Sequence, residues 1–402
     1  MQHAAAALTL GLVGLVALLA GCVRPAPPID PAEAPAAASE ALESILDRTP
    51  ASAGPLPSPP PAAVDGPVTV SVWYPDHPLM RRLASPPVRA AFTEAHPDIT
   101  LEAQGMGDWM YAVQKLTVHI AGGGLPDIAV VRRGLLAQLA PSGHILALDD
   151  LLPDELLNDF DTPVREAYAA GPQLTALPAD AFHSVLYTVE TPPESLEALA
   201  KYPGNGPATI GHLPFMETLW ALGGDVLAQG RPAMDSDAAR GAFALMHALY
   251  APGTGHAARN AMLDETHGVA LFISGRANMT VASSRSVARV LEQRPETRMH
   301  PVPGPSGGVS RWGEYAIVVF AGAEAKGEAI AAVLDFLTGP VLQGAEALEG
   351  GSPPVRRSVR ASVDEDHPLL KTWGHARAAP LVPEWGELES ALLGIVERAT
   401  RF

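Results

Sequence analysis

Apolar residues follow four successive patterns along this chain, and the order of those patterns predicts most of its elements. From Ala4 to Ala20 they run with Thr9 as the one polar residue, about the length of a secretory h-region, and close on small residues before Cys22. Over positions 22–67 Pro and Ala take over, as in Pro25-Ala26-Pro27-Pro28 and Pro57-Ser58-Pro59-Pro60-Pro61. Such a stretch buries too little apolar surface to offset its ordering entropy and favours extended polyproline II. It is expected to be a disordered, semi-rigid tether, with at most a helical turn or two over 38–46 and no bearing on function. At Val68 the period becomes two, and Val68-Thr69-Val70-Ser71-Val72-Trp73 reads as a strand. Helical spacing follows through Val88, Phe92 and Ala95 and stops at His96-Pro97. Ile99-Thr100-Leu101-Glu102 is the next strand. A helix over about 108–121 ends at Gly122-Gly123-Gly124, and Ile128-Ala129-Val130-Val131 is a short buried strand.

Strand, helix, strand, helix in this rhythm implies parallel pairing with helices on the sheet faces, an α/β fold. Further helices are expected at 193–201, 213–221, 238–250, 265–274, 284–294, 324–337 and 385–399, and further strands at 277–281 and 315–320. In open α/β sheets ligands sit outside the carboxyl ends of the strands, so the loops after Trp73, Val131 and Val281 are where a site should form.

The 402 residues suit one large or two medium domains. With Cys22 the single cysteine, a mature fold has no intramolecular disulfide or thiolate metal site. A formal charge of −17 disfavours nucleic acid, whose phosphates call for a basic surface. No Walker sequence, H-E-x-x-H or G-x-G-x-x-G occurs, and the 13 histidines are scattered, so no cofactor, metal or catalytic residue is expected. Gly304-Pro305-Ser306-Gly307-Gly308 matches G-x-S-x-G literally. Pro305 and the lack of a following apolar helix argue against a nucleophile elbow, leaving a lipid-anchored hydrolase as the weaker rival.

Leu19-Ala20-Gly21-Cys22 resembles the lipobox of bacterial lipoproteins, which implies a signal peptide over 1–21, a lipidated Cys22 and an extracytoplasmic chain held at the membrane by several acyl chains. Met1-Gln2-His3 departs from the pattern in lacking Lys or Arg. The rest resembles the extracellular solute-binding proteins of ABC importers, in the sugar-binding family related to maltose-binding protein. The resemblance is carried by Phe92-Thr93-Glu94-Ala95-His96-Pro97-Asp98-Ile99, Ala121-Gly122-Gly123-Gly124-Leu125-Pro126-Asp127-Ile128, Leu222-Gly223-Gly224, Phe272-Ile273-Ser274-Gly275-Arg276-Ala277-Asn278-Met279 and Pro380-Leu381-Val382-Pro383-Glu384-Trp385. It implies two α/β lobes, 68–180 with 314–350 and 181–313 with 351–402, joined by hinge crossings that close on a small molecule. It further implies a monomer that delivers a carbohydrate to a permease. A ligand-sensing receptor without transport remains the alternative.

Within that frame the candidate ligand contacts are Tyr74 and Asp76 after the first strand, Trp109 heading a helix, and Arg132 and Arg133 after the third strand. Asp180 and His183 lie at the first crossing. Phe215, Arg285, Arg311, Trp312, Glu314 and Trp385 complete the set, with His212 and Glu217 flanking Phe215. Relatives carry a tryptophan near the Arg285 position, and this chain does not. Arginine offers a planar fork suited to carboxylate and phosphate. If Arg132 or Arg133, Arg285 and Arg311 face one cleft, the ligand is a sugar acid or sugar phosphate; if one alone does, it is a neutral oligosaccharide.

Overall fold

The computed structural model describes residues 26–47, 66–196, 198, 208–252, 262–304, 307–313 and 315–401. Cys22 and the leader, Ser306, Glu314 and four of the nine residues of the helix expected at 193–201 lie outside the described residues.

Two sheets organise the chain. The first runs Ile99–Gly105, Val68–Tyr74, Ile128–Arg132, Tyr315–Val319, Leu177–Pro178 in spatial order. Its first three strands are parallel, as the strand-helix rhythm predicts, whereas Tyr315–Val319 returns antiparallel to Ile128–Arg132. Period two puts Val70, Val72 and Tyr74 on one buried face. Helices Pro86–Ala95 and Gly327–Thr338 cover the sheet, Phe92 meeting Phe336 edge-on at 5.0 Å. Helix Trp109–Gly122 begins where the Asp108 carboxylate accepts from the Tyr111 amide at 3.0 Å. It stops at Gly123, whose φ of 85° a β-carbon would strain.

The second sheet runs Arg298–His300, Ser184–Thr188, Ala277–Ser283, Ala208–Ile210. Ser184–Thr188 was not expected as a strand. All five of its residues are buried, so it shows no alternation to read. Arg298–His300 and Ala208–Ile210 are three residues each, too short for a periodic signal. The helix expected over 284–294 is divided into a tight turn, Ser284–Ser286, and a helix, Val287–Gln293.

A correction concerns the tether. Ala34–Leu46 is a 13-residue helix whose Ala34, Ala38, Leu42 and Ile45 form one buried stripe. That stripe packs on Trp385–Thr400 and Asp237–Tyr250 in the apolar core beside the second sheet. The Ile29 amide donates to the Arg398 carbonyl at 3.3 Å, and Arg398 Nε donates to the Pro27 carbonyl at 2.8 Å. Burial of Leu42 and Ile45 contributes roughly 1.5–3 kcal/mol each. This outweighs the weak local propensity on which the tether expectation rested. Among the described residues, no helix is long and apolar enough to cross a membrane.

Candidate functional site

The two sheets are joined by adjacent chain crossings. One leaves Leu177–Pro178 and enters Ser184–Thr188; the other leaves Ser310–Arg311 and enters Tyr315–Val319. They run side by side, with His183 bridged to Trp312. Gly313 packs so closely on the first crossing that a β-carbon there would overlap the Phe182 carbonyl and the Asp180 carboxylate. The crossings form the floor of a cleft at the carboxyl edges of the parallel strands.

The cleft has two connected parts that share Arg132, Arg311, Trp312 and Gly313. The part of about 380 Å³ lies between the sheets, where Arg132 and Tyr315 face His212, Glu217, Glu265, Ser283 and Arg285. The part of about 410 Å³ extends to Trp109, Arg133 and Gln138 on one side and Trp385, Glu387 and Glu389 on the other. A wider surface depression of about 910 Å³ adjoins Trp312 and Trp373, but Arg357 and Arg360 on its wall face Asp161.

Arginine and aromatic side chains interleave throughout the cleft. The Arg132 guanidinium lies 4.2 Å from the Trp109 ring centre and 6.0 Å from that of Tyr315. Arg285 lies 4.2 Å from Phe182 and 5.2 Å from Tyr315. It also pairs with Asp180 at 3.3 Å. Arg311 pairs with Glu389 at 2.6 Å, and its amide donates to the Ser184 hydroxyl at 2.6 Å. Burial pushes the Glu217 carboxyl above its usual range against the pull of Arg311. Burial also lowers His183 to about 4, so it is neutral at pH 7. Its Nδ1 sits 3.0 Å from the Ala181 carbonyl, which can only accept, so Nδ1 carries the proton. Nε2 is then the acceptor facing the Thr372 hydroxyl at 2.7 Å.

Of the residues singled out from sequence, Trp109, Arg132, Arg133, His183, His212, Glu217, Arg285, Arg311, Trp312 and Trp385 line the cleft. Arg133 is chiefly a tie, donating to the Ala167 carbonyl at 2.8 Å and the Ala379 carbonyl at 2.9 Å. Three expectations are corrected. Tyr74 lies on the inward face of its strand and is core. Phe215 is core as well, 4.7 Å from Phe243, and Pro214 and Glu217 reach the cleft in its place. Asp76 is solvated and pairs with Arg81 at 3.2 Å. Asp180 lies just behind the wall, fully buried, its Oδ2 2.6 Å from His77 Nε2. Tyr315, Phe182, Glu265 and Glu389 line the cleft without having been singled out.

Residues 78–344 match the family model of bacterial extracellular solute-binding proteins. The chain belongs to that family, and its fold is the two-lobed one of solute-binding proteins. Similar solved structures include the sugar-binding protein MalE of Xanthomonas citri, at 18% identity and a TM-score of 0.71, covering 83% of this chain and 92% of that one. The GacH receptor of Streptomyces glaucescens, solved unliganded and with acarbose, is 18% identical with a TM-score of 0.66, covering 83% and 93%. UgpB of Mycobacterium tuberculosis, in complex with glycerophosphocholine, is 18% identical with a TM-score of 0.65, covering 84% and 98%. No curated protein matches the chain significantly.

Proposed function

We propose that the chain captures a carbohydrate in the cleft and delivers it to an ABC importer permease from a lipid anchor at Cys22. The observation that supports this best is the lining of the cleft, where Trp109, Trp312, Tyr315 and Trp385 alternate with Arg132, Arg285, Arg311, Glu217 and Glu265. A sugar ring has apolar faces and a rim of hydroxyls, so flat aromatic surfaces beside fixed donors and acceptors complement it. Glu217, whose carboxyl is raised by burial, adds a polar group to that lining. Ligand that touches both lobes stabilises the closed form in proportion to its differential affinity, and a permease can then recognise that form.

A thermal-shift screen of a carbohydrate library against the chain from Val23 onward tests this reading. A ligand at 100 times its dissociation constant adds about 2.7 kcal/mol to stability, and isothermal titration then gives its affinity. Binding of amino acids or peptides with no response to any carbohydrate would sink the carbohydrate reading. The anchor is tested separately, since Cys22→Ser should move the protein from the membrane fraction to the soluble one without changing affinity.

A further inference from the structure

We propose that the solute is an anionic carbohydrate, a polyhydroxylated body bearing a carboxylate or phosphate, and that Arg132 and Arg285 hold the charged group together. This rests on the carbohydrate reading above and specifies its ligand. Arg132 ends a strand of the first sheet, and Arg285 follows the Ala277–Ser283 strand of the second. They reach the same cavity from opposite lobes and meet at one ring, their guanidinium carbons 6.0 and 5.2 Å from the centre of Tyr315. Each is also braced on a second aromatic at 4.2 Å, Arg132 on Trp109 and Arg285 on Phe182. Two guanidinium forks that line one cavity from opposite sides match the oxygens of a carboxylate or phosphate.

Several carboxyl groups in and behind the cleft wall are engaged within the protein, while Glu387 lines the outer part. Glu389 is engaged with Arg311 at 2.6 Å. Asp180 is fully buried and held by His77 at 2.6 Å, its contact to Arg285 being the longer one at 3.3 Å. Arg285 itself stays 35% exposed toward the cleft. Burial raises the Glu217 carboxyl and the nearby Arg311 lowers it. Glu265 accepts from the Ser283 amide at 2.9 Å and lines the same part of the cleft. Because the two arginines belong to different lobes, an anion bound by both favours closure, which a neutral sugar of the same shape does less.

Isothermal titration of the purified full chain with paired probes tests this: D-glucuronate against D-glucose, D-galacturonate against D-galactose, glucose 1-phosphate against glucose, and glycerol 3-phosphate against glycerol, with maltotriose alongside. The anionic member of at least one pair should bind at least about 10-fold tighter than its neutral parent, with the advantage shrinking as salt is added. Arg285→Gln and, independently, Arg132→Gln should each weaken the anionic member by about 10- to 100-fold. The neutral parent should change much less. Uronates binding without phosphates, or the reverse, identifies the group that is read. Equal or tighter binding of neutral sugars overturns the anionic assignment and leaves the carbohydrate reading standing. Binding of amino acids or peptides alone, or of nothing offered, overturns both.

Discussion

Arg132 and Tyr315 stand directly opposite each other across an antiparallel ladder, the last residue of one strand against the first of the other. This pairing explains how residues 183 positions apart come to share a binding surface. Parallel strands send their carboxyl ends to the cleft, and an antiparallel neighbour sends its amino end there. Ser184 and Ser283 repeat the relationship in the second sheet, where they are also partners across an antiparallel ladder, and both line the cleft.

Trp109 should matter to ligand much more than to the fold. Its side chain is 39% exposed and backs Arg132 at 4.2 Å, so Trp109→Ala removes a stacking face from the cleft and the brace of the guanidinium. A loss of about 1–2 kcal/mol of binding, roughly 5- to 30-fold in affinity, is expected. Isothermal titration with the carbohydrate found in the screen measures it. The denaturant midpoint should move little.

The fully buried His77–Asp180 pair joins the loop after the first strand to the first crossing. Removing His77 strips the buried Asp180 carboxyl of its nearer partner and leaves it Arg285 at 3.3 Å, which costs about 1–3 kcal/mol. His77→Ala should therefore lower unfolding stability by an amount in that range in urea titrations. A cost below about 1 kcal/mol would show that the pair is idle.

Two groups in the cleft should tilt stability with pH in opposite senses. The Glu217 carboxyl is raised above its ordinary 4.5, so between that value and its folded pKa the native state holds a proton that the unfolded chain has lost. Its contribution is complete below 4.5 and is lost as pH rises through the folded value. Glu217→Gln should gain melting temperature relative to the unmodified chain as pH climbs from 4.5 through the folded value, and a parallel pair of curves would contradict this.

His183 works the other way. Its ordinary value is 6.5 and burial lowers it to about 4, so between these values the unfolded chain takes up a proton that the native state refuses. Stability is complete above 6.5 and falls as pH drops toward 4. Taking the chain from pH 7 to pH 4.5 should cost it about 2–3 kcal/mol more than it costs His183→Gln, from the size of the shift. Urea midpoints at the two pH values report the difference.

Leu42 lies at the centre of the docked amino-terminal helix and is fully buried. Leu42→Ala should destabilise by about 2–4 kcal/mol, as truncation in a packed core does. Ligand affinity should hold, because the helix lines neither part of the cleft. Combined urea unfolding and titration separates the two effects.

Much of the architecture was legible because its elements carry strong local signals. Val68–Tyr74 alternates, Trp109–Gly122 is bounded by Asp108 and a run of glycines, and Asp237–Tyr250 keeps its apolar stripe. Arg132, Arg285 and Arg311 were legible as candidates because each follows a strand or ends a loop. Ala34–Leu46 was not, since an alanine face with two larger aliphatics becomes a helix worth forming once Trp385–Thr400 is present to cover it.

The sequence by itself determined the family, the strand-helix rhythm of the first sheet and the residue types available to a ligand, because periodicity, caps and turn residues are properties of neighbours in the chain. The tertiary structure alone decided which of those residues meet. Tyr74 and Phe215 turn inward because their faces are the buried ones, whereas Tyr315, Phe182 and Glu389 reach the cleft through strand direction, crossing geometry and a helix from the far end of the chain. The physical reason is that a binding surface is set by which elements pack together across long sequence separations, and no local pattern encodes that partnership.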